Sequence, residues 1–76
     1  MKELVEFMVK ALVDEPSEVL LTEVDTERGV QYKLQVSKQD IGKVIGKKGK
    51  TALAIRTILN AVSTKHGRRA ELEIVE

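Results

Sequence analysis

The clearest pattern in the chain is the alternation in "VQYKLQVS", residues 30–37. Val30, Tyr32, Leu34 and Val36 fall on one side, and Gln31, Lys33 and Gln35 on the other. A period of two predicts a strand with one buried face. Upstream, "EVLLTEV" at 18–24 is apolar and β-branched and reads as a strand. "DTERG" between them predicts a hairpin, with Gly29 as its positive-φ residue. A different period governs "KELVEFMVKALVD" at 2–14. At 100° per residue, Lys2, Glu3, Glu6 and Lys10 share a narrow polar stripe, while Met1, Leu4, Val5, Phe7, Met8, Ala11 and Leu12 cover most of the remainder. This predicts a helix stopped by Pro16. A short helical turn follows at 40–45, with Asp40 as its cap. "GKKG" interrupts, and a longer helix runs from Lys50 to Lys65. Its expected core stripe is Ile55, Ile58, Leu59 and Val62, and Gly67 ends it. "AELEIV" at 70–75 predicts a last strand with Leu72 and Ile74 inward. Phe7 and Tyr32, the chain's two aromatics, are both expected in the core. The order is α-β-β-α-α-β, an α+β architecture with helices on one face of a three-stranded sheet. Residues 1–76 are expected to form a single domain.

Composition narrows the chemistry. The 76 residues include no cysteine and one histidine, His66. Disulfides and thiolate metal sites are therefore excluded, and no metal or cofactor is expected. No apolar run approaches the ~20 residues that span a bilayer, and the N-terminus lacks a signal-peptide pattern, so a cytoplasmic location is expected. The net charge of +1 hides a segregation: residues 38–69 carry nine Lys/Arg against one acid, Asp40, whereas the remainder carries four bases and eleven acids. The first segment is thus +8 and the rest −7. A basic block in an otherwise acidic chain points to an anionic partner on one face.

The basic block is centred on "IGKVIGKKGKT", residues 41–51. Its end, Gly49-Lys50-Thr51, matches the close of a phosphate-binding P-loop. That motif needs a glycine at 44, where Val44 stands, and no aspartate follows Thr51 to hold magnesium. The reading as a nucleoside triphosphatase fails on this spacing. No nucleophile–base pair or carboxylate cluster suggests another catalytic site.

A G-x-x-G turn between two helices has a different use. Gly46 and Gly49 permit tight backbone geometry and leave the ligand unobstructed. The following helix offers free N–H groups and a favourable dipole to an anion. Lys47 and Lys48 add charge at the tip, with Lys43 and Lys50 nearby. With "IGKVI" before and "ALAIRTIL" after it, "VIGKKG" at 44–49 resembles the signature of the KH RNA-binding domain family. The likeness extends over essentially the whole chain, and the element order looks like the type II arrangement. Within that family the chain is similar to small bacterial single-KH proteins of the KhpA kind. The resemblance implies a groove for about four nucleotides of single-stranded RNA. Gly46, Lys47, Lys48 and Gly49 would clamp the sugar–phosphate backbone, and Ile41, Gly42, Val44 and Ile45 would form the groove side behind the loop. A strand edge with its flanking loop would form the other wall. Three residues after the second glycine, where many family members carry a bulky aliphatic residue, this chain has Ala52, which implies a shallower groove. With both aromatics assigned to the core, base stacking is not expected. Affinity should rest mainly on phosphates and on apolar contact with bases, giving modest sequence specificity and strong salt dependence. Arg56 is open between a phosphate contact, an ion-pair partner and an interface residue.

One feature is not accounted for by RNA. Between Thr51 and Ser63 the long helix carries a single charge, Arg56, although 33% of the chain is charged. Leu53, Thr57, Asn60, Ala61 and Thr64 make a small, neutral face suited to close helix packing. This predicts a homodimer interface or a docking site. The resemblance points the same way, implying self-association and pairing with a larger KH-containing protein of the KhpB (Jag) kind. Two readings result. One is a non-catalytic single-strand RNA-binding protein acting in post-transcriptional regulation or as an RNA chaperone. The other is a protein–protein adaptor in which RNA binding is secondary.

Overall fold

The computed structural model describes residues 1–75. Helix α1 spans Lys2–Leu12, strand β1 Leu20–Thr26 and strand β2 Gly29–Gln35. Helices α2 (Ile41–Ile45) and α3 (Lys50–Lys65) follow, then strand β3, Arg69–Ile74. The order is the α-β-β-α-α-β that the patterning predicts.

β2 is the centre of the three-stranded sheet. It pairs antiparallel with β1, Leu21 facing Leu34 and Thr26 facing Gly29. It pairs parallel with β3, Val30 facing Ala70 and Leu34 facing Ile74. A parallel neighbour requires a crossover, and α2 and α3 provide it, packing on the same face as α1. The β2–β3 register depends on Gly29: a Cβ there would lie 2.0 Å from the Arg69 carbonyl oxygen.

The core gathers where the three helices meet the sheet. Val5 and Val9 come from α1, Leu21 from β1, and Val30, Tyr32 and Leu34 from β2. Val44, Ile55 and Leu59 close it from the helices, with Ala70 and Leu72 from β3. The alternating face of β2 is buried as expected, and so is Tyr32. Its hydroxyl donates to Glu23 Oε1 at 2.6 Å on the paired strand. Burial first, and then this bond to a carboxylate, pushes the phenol far above its ordinary range.

Four local expectations are corrected. β1 lies two residues later than 18–24, because Pro16–Glu18 forms a 3₁₀ turn and the ladder with β2 carries the strand on to Thr26. Pairing here overrides the weak strand preference of Asp25. Phe7 is not in the core: it is 73% exposed, about 200° around the helix from Val5 and Val9. Ile58 is 45% exposed, because the buried stripe of α3 is Ala52, Ile55, Leu59 and Ser63. Val62 is half-buried beside it.

The fourth correction concerns Asp40, which makes no cap bond to α2. Its fully buried carboxylate instead accepts the backbone amides of Asp14 and Glu15, at 3.1 and 3.0 Å, and the Ser37 hydroxyl at 2.9 Å. Those amides are the ones α1 would use if it continued to residue 14, so the helix ends at Leu12 and Val13 turns extended. One carboxylate thereby ties the α1–β1 connection to the start of α2.

Candidate nucleic-acid interface

The junction between α2 and α3 is built on backbone conformations that side chains rarely adopt. Gly46 has φ 76°, Lys48 φ 57° and Gly49 φ 74°. The Gly46 amide closes α2 on the Gly42 carbonyl at 2.8 Å, and the Gly49 amide returns to the Gly46 carbonyl at 3.1 Å. A Cβ on Gly46 would sit 2.1 Å from Thr51 Oγ1. Thr51 therefore fills the space the glycine leaves, and together they fix how α3 departs. Lys48 is the one non-glycine residue at positive φ among those described. Strain of this kind collects at functional loops, and here it holds a lysine at the tip.

Beside the loop lies a groove of about 520 Å³. One wall is Ile45 from α2, Gly49 from the loop, and Ala52 and Arg56 from α3. The other is β3, through Leu72 and Ile74, with Glu71, Glu73 and Gln31 along the border. The hollow continues past the β1–β2 turn, where Arg28, Arg69 and Glu71 line a further 380 Å³. Another 360 Å³ follows α3 past Arg56 and Asn60.

The sequence-predicted residues separate into groups. Ile45, Gly49 and Arg56 line the groove. Lys47, Lys48 and Lys50 are exposed at the loop and the start of α3, and no ion pair among the described residues engages them. Gly46 is half-buried beneath the tip. Val44 is 0% exposed and supports the groove from within the core. Ile41 is half-buried against that core, and Gly42 is exposed on α2 with open space around it. Lys43 is directed elsewhere: its ammonium is bonded to Asp14 and lies 3.9 Å from the Asp40 carboxylate. The bond to Asp14 raises the Lys43 pKa, against a smaller opposing effect of desolvation. For Asp40, burial pushes the pKa up, but the two amides, Ser37 and Lys43 together outweigh it and hold the carboxyl below its ordinary value.

Arg56 does something its sequence position does not announce. Its Nε and Nη2 donate to the Leu72 carbonyl at 3.4 and 3.2 Å. The β3 side of the groove is present in the sequence reading only as an unnamed strand edge. The pattern marks Leu72 and Ile74 as inward, but it carries no sign that β3 lies at the sheet edge beside α3. Among the described residues no group of acids and histidine is placed to hold a metal ion. No described helix is long and apolar enough to cross a membrane.

The predicted face of α3 is open. Leu53 is 63% exposed, and Thr57, Asn60, Ala61 and Thr64 are exposed with it. Ala54 and the misassigned Ile58 extend that neutral surface.

Known proteins resemble the chain in both sequence and fold. A family model described as "KhpA/KhpB, KH domain" matches residues 2–74. A protein of Listeria monocytogenes named RNA-binding protein KhpA is 49% identical over 76 residues, all of both chains. One of the same name from Borreliella burgdorferi is 47% identical over 74 residues, 97% of this chain and 90% of that one. Among solved structures, a variant of Era from Aquifex aeolicus bound to GDP·AlF4⁻ superposes with a TM-score of 0.69 at 20% identity. The match covers 96% of this chain and 28% of that one, and it speaks to fold alone.

Proposed function

Because this chain belongs to the KhpA/KhpB KH-domain family, we propose that it is a non-enzymatic protein that binds single-stranded RNA in the groove between the GKKG loop and β3. The observation that carries this reading is the pairing of two unlike surfaces. Lys47 and Lys48 stand free of acidic partners at the loop tip, and the groove beside them is walled by a strand edge. The lysines and the α3 N-terminus suit phosphates; the groove suits unstacked bases. Gly46 and Gly49 let the nucleic-acid backbone approach, while Ile45 and Ala52 offer apolar contact. Val44 and Ile41 act as support, and Lys43 serves the fold.

The test is binding of short single-stranded RNA, followed by fluorescence anisotropy across a salt series. Lys47→Asp with Lys48→Asp should weaken binding and flatten the salt slope by ~0.7 for each phosphate no longer neutralised. An unchanged affinity and slope would show that the loop does not clamp the backbone.

The neutral α3 face supports a second element of the proposal. Exposed Leu53 and Ile58, flanked by small residues, suit self-association or docking of a KhpB-like KH protein. As a reading of its own, this makes the chain an adaptor that uses RNA secondarily. A cytoplasmic single-domain protein in post-transcriptional regulation, acting as a chaperone of RNA structure, accommodates both surfaces.

A further inference from the structure

The strand wall of the groove is a sheet edge, and one side chain occupies its middle. Among the described residues β3 pairs with β2 alone. The Val75 amide donates back to Leu34 at 2.8 Å. Backbone groups alternate along a strand, so those of residue 72 face away from β2, into the groove. An open edge of this kind offers both carbonyl acceptors and amide donors to whatever lies along it. A base with an amino group would take the carbonyl. At Leu72 that carbonyl is already taken by two N–H groups of Arg56. Arg56 stands one turn beyond Ala52, which is buried and lines the same groove. Guanidinium has five donors and no acceptor, so the remainder stay available beside the groove. Glu71 and Glu73 border the same groove, but they alternate with Leu72 and belong to the opposite face of β3.

We infer that Arg56 sets base preference in this groove: by covering the Leu72 carbonyl with donors, it selects bases that present carbonyl oxygens and rejects those that present an amino group. The favoured base is then uracil, which has two carbonyl oxygens and no amino group. Adenine and cytosine bring N6 and N4 amino groups to a place where the acceptor is occupied. The inference rests on the RNA reading proposed above. It makes a specificity determinant of a residue that composition marks only as the single charge between Thr51 and Ser63.

Octameric single-stranded RNAs of uridylate, adenylate and cytidylate test it, by anisotropy at fixed salt. The wild-type protein should bind the uridylate octamer about tenfold more tightly than either other, the discrimination of roughly one good side-chain–base contact. Arg56→Met keeps the aliphatic stem and removes every donor. It should bring the three affinities together or reverse their order. Arg56→Lys should fall between, since one ammonium cannot reproduce the paired donors. It carries the test alone should circular dichroism show the methionine variant unfolded. An unchanged uridylate preference in the folded variants overturns the inference, even with a uniform drop in affinity, which would make Arg56 a phosphate contact only. Tighter wild-type binding of adenylate or cytidylate overturns it too. Absence of binding to all three RNAs by the wild type brings down the RNA reading itself, and this inference with it.

Discussion

Gly46 and Gly42 share a residue type and a loop neighbourhood, yet they do opposite work. Gly46 sits at φ 76°, and a Cβ there would meet Thr51 at 2.1 Å. Gly42 lies inside α2 at ordinary helical geometry with nothing within 4 Å of its would-be Cβ. Gly46→Ala should therefore cost about 1–3 kcal/mol, the usual range for forced backbone strain. Gly42→Ala should gain about 0.5–1 kcal/mol, as glycine is replaced in a helix. Thermal melts of both variants check the contrast, and equal effects would refute the assigned roles. The "G-x-x-G" spacing is legible at this scale because it depends on neighbours in sequence. The closure of Thr51 over Gly46 is not, since it depends on the turn those neighbours make. Thr51 is the residue that, on the P-loop spacing, would have been a magnesium ligand.

Elements are joined here by polar groups as much as by apolar packing. The Asp40 carboxylate holds the end of α1 to the start of α2, with Lys43 and Asp14 beside it. Its pKa is lowered in the folded protein, on balance against burial. The unfolded chain then binds the proton more tightly, so this contribution is complete above the ordinary carboxylate pKa of about 4 and is lost as pH falls through and below it. Asp40→Asn should melt lower than wild type at pH 7. Its stability should also fall less steeply from about pH 5 to 2, the window in which such carboxylates titrate, so that the two curves converge in acid. Parallel melting curves over that range would contradict this account. The α1 boundary, two residues earlier than its periodicity suggests, has the same cause: periodicity cannot register an acceptor arriving from residue 40. Misassignment of Phe7 and Ile58 is a related case. A helix with apolar residues around most of its circumference does not say which arc meets the sheet.

Across the full chain, charge and apolarity are sorted onto different surfaces. Lys47, Lys48 and Lys50, which make no ion pair among the described residues, stand at the α2–α3 loop and the start of α3, acids border the β3 side of the groove, and the outer face of α3 is neutral. If that neutral face joins two copies, sedimentation velocity should show a concentration-dependent dimer. Leu53→Asp combined with Ile58→Asp should give a monomer with an unchanged circular dichroism spectrum, since both side chains are exposed. A monomer at every concentration in wild type and variant alike would remove self-association from the proposal.

Local spacing was enough to specify the order of elements, the buried face of β2, the extent of α3 and the loop that marks the family. A period of 2 or 3.6 and a pair of glycines act within a few residues, so each is written directly in the chain. Packing in three dimensions was needed to set β3 parallel at the sheet edge, to make Asp40 a buried tie between helices, and to bring Arg56 to the Leu72 carbonyl. Those polar contacts join residues 16 to 26 positions apart. Their partners are chosen by how the layers stack, which no local pattern encodes.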